Sequence, residues 1–258
     1  MSNTLLLDGD MILYRIVSAD MHEAEFAPDI WGYQTDLKHC KARFMEEVVY
    51  LHRELKADKI WLAFSGDNNF RKAVDPKYKA NRTKPKPVGY KAMIRWCEEV
   101  AGNEGPWIFV QRDTLEADDV MGLMADGHDG DVILVSGDKD MATVPCRCVD
   151  PQDPTLTERT YTEDEADWNW MLQTLTGDST DGYKGCPKVG PVSGKKLLSG
   201  HTKLEDLWGA VVAAYEKNGA VEDDALRNAR LARILRAGDW DAHGGVRLWG
   251  PKMLLTPF

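Results

Sequence analysis

The chain has 258 residues, of which 43% are hydrophobic and 29% charged, and its formal net charge is −10. This apolar content can fill a buried core, which excludes a disordered chain, and the length suits one large domain or two small ones. No basic segment leads into an apolar run at the start, and no stretch of about 18 apolar residues occurs, so neither secretion nor a membrane-spanning helix is expected. The expected setting is cytoplasmic. Cys40, Cys97, Cys146, Cys148 and Cys186 are odd in number and lack C-x-x-C spacing, which argues for reduced thiols over a disulfide framework or a structural zinc.

Short Leu/Ile/Val runs alternate with helical patterns through the first half, the signature of an α/β fold with a mostly parallel sheet flanked by helices. In chain order the pattern predicts a strand over Thr4–Leu7, a helix over Asp36–Leu55 and a strand over Lys59–Phe64. The cationic, Pro/Gly-punctuated stretch Thr83–Gly89 follows as an exposed loop or arch, within a basic segment at about 68–90. Next come a helix over Lys91–Val100, a strand over Trp107–Val110, a helix over Leu115–Asp126 and a strand over Val132–Val135. Beyond about residue 160 helical segments take over, at Glu163–Leu175, Ser193–Ser199, Leu204–Lys217 and Asp223–Ala237. A boundary there divides a sheet-bearing unit, 1–160, from a helical unit, 161–258.

Three of the predicted strands run into an aspartate: Leu5-Leu-Leu-Asp8, Ile60 to Asp67, and Val132 to Asp138 with Asp140 close behind. In an open parallel sheet, ligands bind at the carboxyl ends of the strands, so these acids converge on one crevice. Glu116, Asp118 and Asp119 open a predicted helix, and Asp178 and Asp181 follow another. Each acid also has a structural use, as a helix cap, a partner of the helix dipole or a turn former. Those uses do not explain why three strands end alike. Nine carboxylates gathered together require cations, and all-oxygen ligation selects hard ions such as Mg²⁺ or Mn²⁺, with two ions sharing the load.

A net charge of −10 opposes binding to a polyanion, but the basic residues are not spread evenly. Eight lie between Arg71 and Lys91 against Asp75 alone, and five lysines with no acid lie between Gly182 and Leu204. A cationic segment beside an acidic metal site suits a phosphodiester, whose developing charge Lys and Arg stabilise. Glycines from Gly177 to Gly194 allow backbone N–H groups to approach a phosphate, which implies backbone contact rather than base reading. Arg227, Arg230, Arg233 and Arg236 form a ridge on one helix, read as solvated or paired.

Taken together, Asp8-Gly with Arg15, Phe70-Arg71-Lys72, Tyr78-Lys79-Ala-Asn-Arg82, Leu115-Glu116-Ala-Asp118-Asp119, Ser136-Gly-Asp138-Lys-Asp140, and Thr176-Gly-Asp178-Ser-Thr-Asp181 with Gly185 to Gly190 resemble the ordered motifs of the 5′-nucleases. This PIN-like family comprises flap endonucleases, the 5′-nuclease domains of bacterial DNA polymerases and phage 5′-to-3′ exonucleases. The segment Ala229–Arg236 and the short chain are similar to the phage enzymes in particular, which would place the protein in a host cell's cytoplasm. The resemblance implies a 5′-to-3′ DNA exonuclease with flap or structure-dependent endonuclease activity. It implies that Asp8, Asp67, Glu116 and Asp118 hold one metal with Asp119 nearby, and that Asp138, Asp140, Asp178 and Asp181 hold a second. Lys79 and Arg82 would contact the scissile phosphate from the arch, with Arg15 near the reacting strand. Arg71, Lys72, Lys84 and Lys86 would touch DNA. A helix–turn–helix element at about 175–200, with Gly185, Lys188, Gly190, Gly194, Lys195 and Lys196, would grip the duplex, and in some relatives it also binds K⁺.

Two other readings stand beside this one. A haloacid-dehalogenase-type phosphatase would use Asp8 and Asp10, Ser65 and Asp138, but leaves the Glu116 cluster and the glycine-rich element without a role. A non-catalytic, structure-specific DNA binder would keep the basic segments without needing the full acid set.

Overall fold

The computed structural model describes residues 3–102, 104–125, 131–241, 243 and 245–251. The first half runs β1 (Asn3–Asp8), α1 (Gly9–Asp20), a hairpin of β2 (His22–Ala27) and β3 (Ile30–Gln34), α2 (Leu37–Glu54) and β4 (Lys59–Ser65). It continues with the single turn α3 (Arg71–Val74), α4 (Tyr90–Ala101), β5 (Ile108–Arg112), α5 (Ala117–Ala125), β6 (Asp131–Val135), a 3₁₀ turn at Lys139–Thr143, β7 (Cys146–Val149) and β8 (Glu158–Tyr161). The second half is helical: α6 (Glu163–Thr176), a two-residue ladder of β9 (Gly177–Asp178) with β10 (Tyr183–Lys184), α7 (Pro191–Leu197), α8 (Leu204–Lys217) and α9 (Glu222–Ala232).

The main sheet has the order β5-β4-β1-β6-β7-β8. β5, β4, β1, β6 and β7 run parallel, and β8 returns antiparallel on β7. β1 lies at its centre, and Leu5, Leu6 and Leu7 are buried on both faces as a parallel sheet requires. Leu5 and Leu7 pack with α1, α2 and α4, where Phe44, Trp96 and Trp107 meet edge to face. Leu6 faces the other way, onto Val120, Met121, Met141, Ile234 and Leu235. A separate aromatic core joins α6, α8 and α9 around Trp170, Trp208 and Trp249. Among the described residues no helix is long and apolar enough to cross a membrane. The cysteines carry free thiols.

The mostly parallel sheet flanked by helices agrees with the expectation, and two differences have physical causes. The β2–β3 hairpin was not predicted: it exposes Phe26, Ile30, Trp31 and Tyr33 and so lacks the alternation of a half-buried strand. The helix expected over Asp223–Ala237 stops at Ala232, because Arg71 takes the carbonyls of Leu231 and Arg233 and Asp119 takes the Leu235 N–H. The helix expected over Leu115–Asp126 is α5; its last expected residue, Asp126, lies outside the described residues.

Glycines set the β9–β10 turn. Gly177 has φ 69°, and a Cβ on Gly185 would lie 2.2 Å from the Leu175 carbonyl oxygen and 2.4 Å from the Gly177 nitrogen. Gly185→Ala is therefore expected to destabilise the fold by about 1–3 kcal/mol through overpacking against backbone. Urea unfolding followed by circular dichroism measures it, and wild-type stability would show that the turn yields.

Candidate active site

The acids reach the crevice by different routes. Asp8 is the last residue of β1 and caps α1, its Oδ1 accepting from the Met11 N–H at 2.9 Å. Asp138 follows β6 and caps the 3₁₀ turn that carries Asp140. Glu116 and Asp118 enter at the start of α5. The β9–β10 ladder turns Asp178 and Asp181 inward from the helical half, where Asp178 Oδ1 accepts from the Thr180 N–H at 2.7 Å.

These side chains line a cavity of about 90 Å³ whose wall holds Glu116, Asp118, Asp138, Asp140, Asp178 and Asp181 together with Lys79, Arg82 and Lys139. Asp8 is buried beside it, bonded to Ser136 Oγ at 2.9 Å. Cationic side chains balance part of the charge. Lys79 Nζ pairs with Glu116 and lies 3.6 Å from Asp181, Arg82 reaches Asp181 at 2.6 Å and Lys139 reaches Asp178 at 3.2 Å. The Tyr78 hydroxyl lies 2.9 Å from Glu116 and 2.7 Å from Asp181, able to donate its one proton to either carboxylate, so it stands between the sheet and the helical half. Asp118 has no hydrogen-bond or ion-pair partner among the described residues.

Burial and mutual repulsion raise the proton affinity of several acids. Burial, then Asp10 and Asp138, push Asp8 up to about 6 against the pull of the Met11 N–H and Ser136. Asp118 is raised well above the carboxylate range by burial, then by Asp8, Asp138 and Glu116. Burial and Asp138 raise Asp140 to about 6. Glu116 moves the other way: burial would raise it, but Arg71 and Lys79 hold it down at about 2. Among the described residues no three acidic, histidine or cysteine side chains close on a single point as a metal-binding group. The donor set is nonetheless oxygen throughout, partly desolvated and short of positive charge, which is the chemistry that suits hard divalent cations.

Five expectations meet a different placement in the structure. Arg71, expected to touch DNA, is 3% exposed and bonds Asp119, Glu116 and the end of α9 instead. Asp119, expected beside the metals, is fully buried with both oxygens engaged by Arg71, the Glu116 N–H and the Leu235 N–H. Gly185 and Gly194, expected to approach phosphate, are small because Leu175 and Leu172 press against them. Arg15 pairs with Glu47 of α2 and is absent from the cavity wall. Asp67 is exposed and also stands outside the wall: the backbone on either side of it is pinned, Gly66 to Leu115 and Asn68 to Asp113.

The basic residues Lys72, Lys84, Lys188, Lys195 and Lys196 are exposed, as is Gly190, around which a Cβ would meet nothing within 4 Å. Lys86 lies over the rings of Tyr90 and Tyr14 at 4.7 and 5.5 Å. The basic segment holds α3 and turns rather than long helices. Arg227, Arg230, Arg233 and Arg236 are all paired, to Asp224, the Trp249 carbonyl, Asp239 and Asp167. Lys139, Tyr78 and Gln173 belong to the cavity although sequence reasoning gave them no role; Lys139 stood between two acids, which was the available signal.

Fold and site together define a PIN-like nuclease: a parallel sheet with acids at its carboxyl ends and basic segments at the rim. Residues 3–167 match the family described as 5′-3′ exonuclease, N-terminal resolvase-like domain. The exodeoxyribonuclease of Enterobacteria phage T3 is 32% identical, the match covering 96% of this chain and 93% of that protein. The exonuclease of Escherichia phage T7 is 31% identical over the same shares. A zinc-bound structure of the T5 5′-exonuclease superposes with a TM-score of 0.66 at 17% identity, covering 89% of each chain. The chain belongs to the 5′-3′ exonuclease family.

A test of the site follows from its charge. Asp8 and Asp140 gain protons on folding, so their stabilising contribution is full below the ordinary carboxylate value of 3.8 and is lost as pH rises through about 6. Glu116, held at about 2, contributes above its ordinary 4.5 and does not change in this window. The metal-free protein is expected to lose melting temperature between about pH 5 and pH 7, with Asp8 alone costing on the order of 1 kcal/mol across that range. Added Mg²⁺ should restore it at the upper end and not at the lower, because binding needs ionised ligands. Differential scanning calorimetry across that range, with Mg²⁺ and with chelator, decides; a melting temperature indifferent to both would contradict the charge argument.

Proposed function

We propose that the chain is a divalent-metal-dependent 5′-to-3′ DNA exonuclease with flap or structure-dependent endonuclease activity, acting during phage DNA replication or degradation. The observation that carries the metal site is Asp118, a carboxylate with no hydrogen-bond or ion-pair partner among the described residues, on which Asp8, Asp138 and Glu116 act more strongly than the cation that offsets them, Lys79. The phage T3 relative's name, exodeoxyribonuclease, supports DNA as the substrate. Asp8, Glu116 and Asp118 are the residues for one ion, and Asp138, Asp140, Asp178 and Asp181 for a second, with Mg²⁺ or Mn²⁺ as the fitting metals. Bound there, such ions would supply Lewis acidity for attack on phosphorus and for departure of the 3′ oxygen.

The chain's own part is to place and hold the substrate. Lys79 and Arg82 now neutralise Glu116 and Asp181; with that charge met by metal, their ammonium and guanidinium groups are free to hold the scissile phosphate. Lys188, Lys195 and Lys196, with the open backbone at Gly190, form the surface for the duplex backbone, and the helical half from residue 161 onward serves as the DNA grip.

The experiment is a cleavage time course on 5′-flap, nicked and blunt duplexes labelled at either end, with Mg²⁺ and with chelator. Metal-dependent release of small products from the 5′ end is expected. Asp118→Asn should lower cleavage by at least about 10²-fold with duplex binding nearly unchanged, whereas Lys196→Glu should weaken binding to all sequences alike and flatten its salt dependence. Full turnover by Asp118→Asn, or cleavage that persists in chelator, would refute the assignment.

A further inference from the structure

A guanidinium offers five N–H donors in one plane, and Arg71 spends all of them inside the protein. Nε donates to the Leu231 carbonyl at 2.9 Å and Nη2 to the Arg233 carbonyl at 2.6 Å, both at the end of α9. Nη1 and Nη2 clamp the Asp119 carboxylate at 2.7 Å each, and Nη1 also reaches Glu116 at 3.3 Å. Asp119 in turn accepts from the Glu116 N–H at 3.1 Å and the Leu235 N–H at 3.2 Å. One buried group therefore ties together α3, the start of α5 and the last turn of α9, and Leu231 and Ala232 of that turn form part of the cavity wall.

We infer that Arg71 is a positioning residue: it fixes the Glu116 carboxylate relative to the end of α9, so that the metal-binding power of the cavity depends on how the helical layer is seated on the sheet. The inference rests on the reading of the cavity as a divalent-metal site. A surface contact with DNA is excluded by burial. A role in stability alone would need the pair with Asp119 but not the bond to Glu116, nor the shared plane that brings both carboxylates and both carbonyls to one guanidinium. Lysine cannot reproduce this, because a compact ammonium lacks the fork that spans four acceptors.

The test compares Arg71→Lys with Val211→Ala, a control buried in the helical layer that lines no part of the cavity. Mn²⁺ binding without DNA is measured by calorimetry, together with kcat, KM and melting temperature, at a temperature where both variants are folded. Arg71→Lys is expected to weaken Mn²⁺ binding and lower kcat by about 10–100-fold with KM for duplex DNA within about twofold, and Val211→Ala to change melting temperature alone. Wild-type Mn²⁺ affinity and kcat in Arg71→Lys would overturn the inference and leave Arg71 a stabilising residue. Should Arg71→Lys fail to fold, Asp119→Asn releases the clamp while keeping the shape: weakened Mn²⁺ binding supports the inference and unchanged binding overturns it. Wild-type protein that neither binds Mn²⁺ nor cleaves would sink the metal-site reading first, and this inference with it.

Discussion

The structure is organised around a repulsion. Seven carboxylates in and beside one small cavity cannot all be ionised without counter-charge, since two like charges 4 Å apart cost about 4 kcal/mol at an effective dielectric near 20. The fold answers with cations drawn from distant segments. Lys79 and Arg82 come from the basic segment, Lys139 from the turn after β6 and Arg71 from α3, in the wall itself. Each pair ties two parts of the chain together, so neutralising the acids also docks the helical half onto the sheet. Asp118 is left out of this pairing, and it sits where further positive charge is most needed.

The same balance resolves the conflict between a net charge of −10 and a polyanionic substrate. Seven of the 42 acidic residues lie in or beside the cavity, against its paired cations. The lysines at 72, 84, 188, 195 and 196 face outward, with none of them in the ion pairs that neutralise the cavity. Association with a duplex is governed by local field and counterion release, so an acidic protein with a basic rim can still be steered onto DNA.

Much of this was legible in the sequence because the evidence for it was local. An apolar run ending in aspartate records both a buried strand and an acid at its carboxyl end, and three such runs define the crevice. What was not legible depended on partners far along the chain. Arg71 sits in a basic run and reads as a DNA contact, yet two of its acceptors lie 160 and 162 residues away. Asp118 and Asp119 are adjacent and chemically alike, but neighbours on a helix point about 100° apart, so one faces the cavity and the other the core. Glycine is ambiguous for a related reason: the missing Cβ serves close backbone packing at Gly185 as readily as phosphate approach at Gly190.

The basic segment brings these constraints together. Its first part is fixed: the Lys79 N–H donates to the Asp181 carbonyl at 2.7 Å, and Asn81 bonds the Ser179 carbonyl at 2.9 Å, so residues 78–82 lie on the turn that carries Asp178 and Asp181. Its far end is held where Thr35 bonds the Val88 carbonyl and the side chain of Leu37 packs against Gly89. Only the seven residue steps from Arg82 to Gly89 bridge these anchors, a reach of about 25 Å even when fully extended. A strap of that length cannot encircle a duplex. On the function proposed above, the duplex would be held outside it, on the lysine-bearing surface around Gly190, and a strand passing toward Lys79 and Arg82 would do so unpaired. On that proposal, selection for an end would follow from chain length and anchoring, with no need for the strap to be helical.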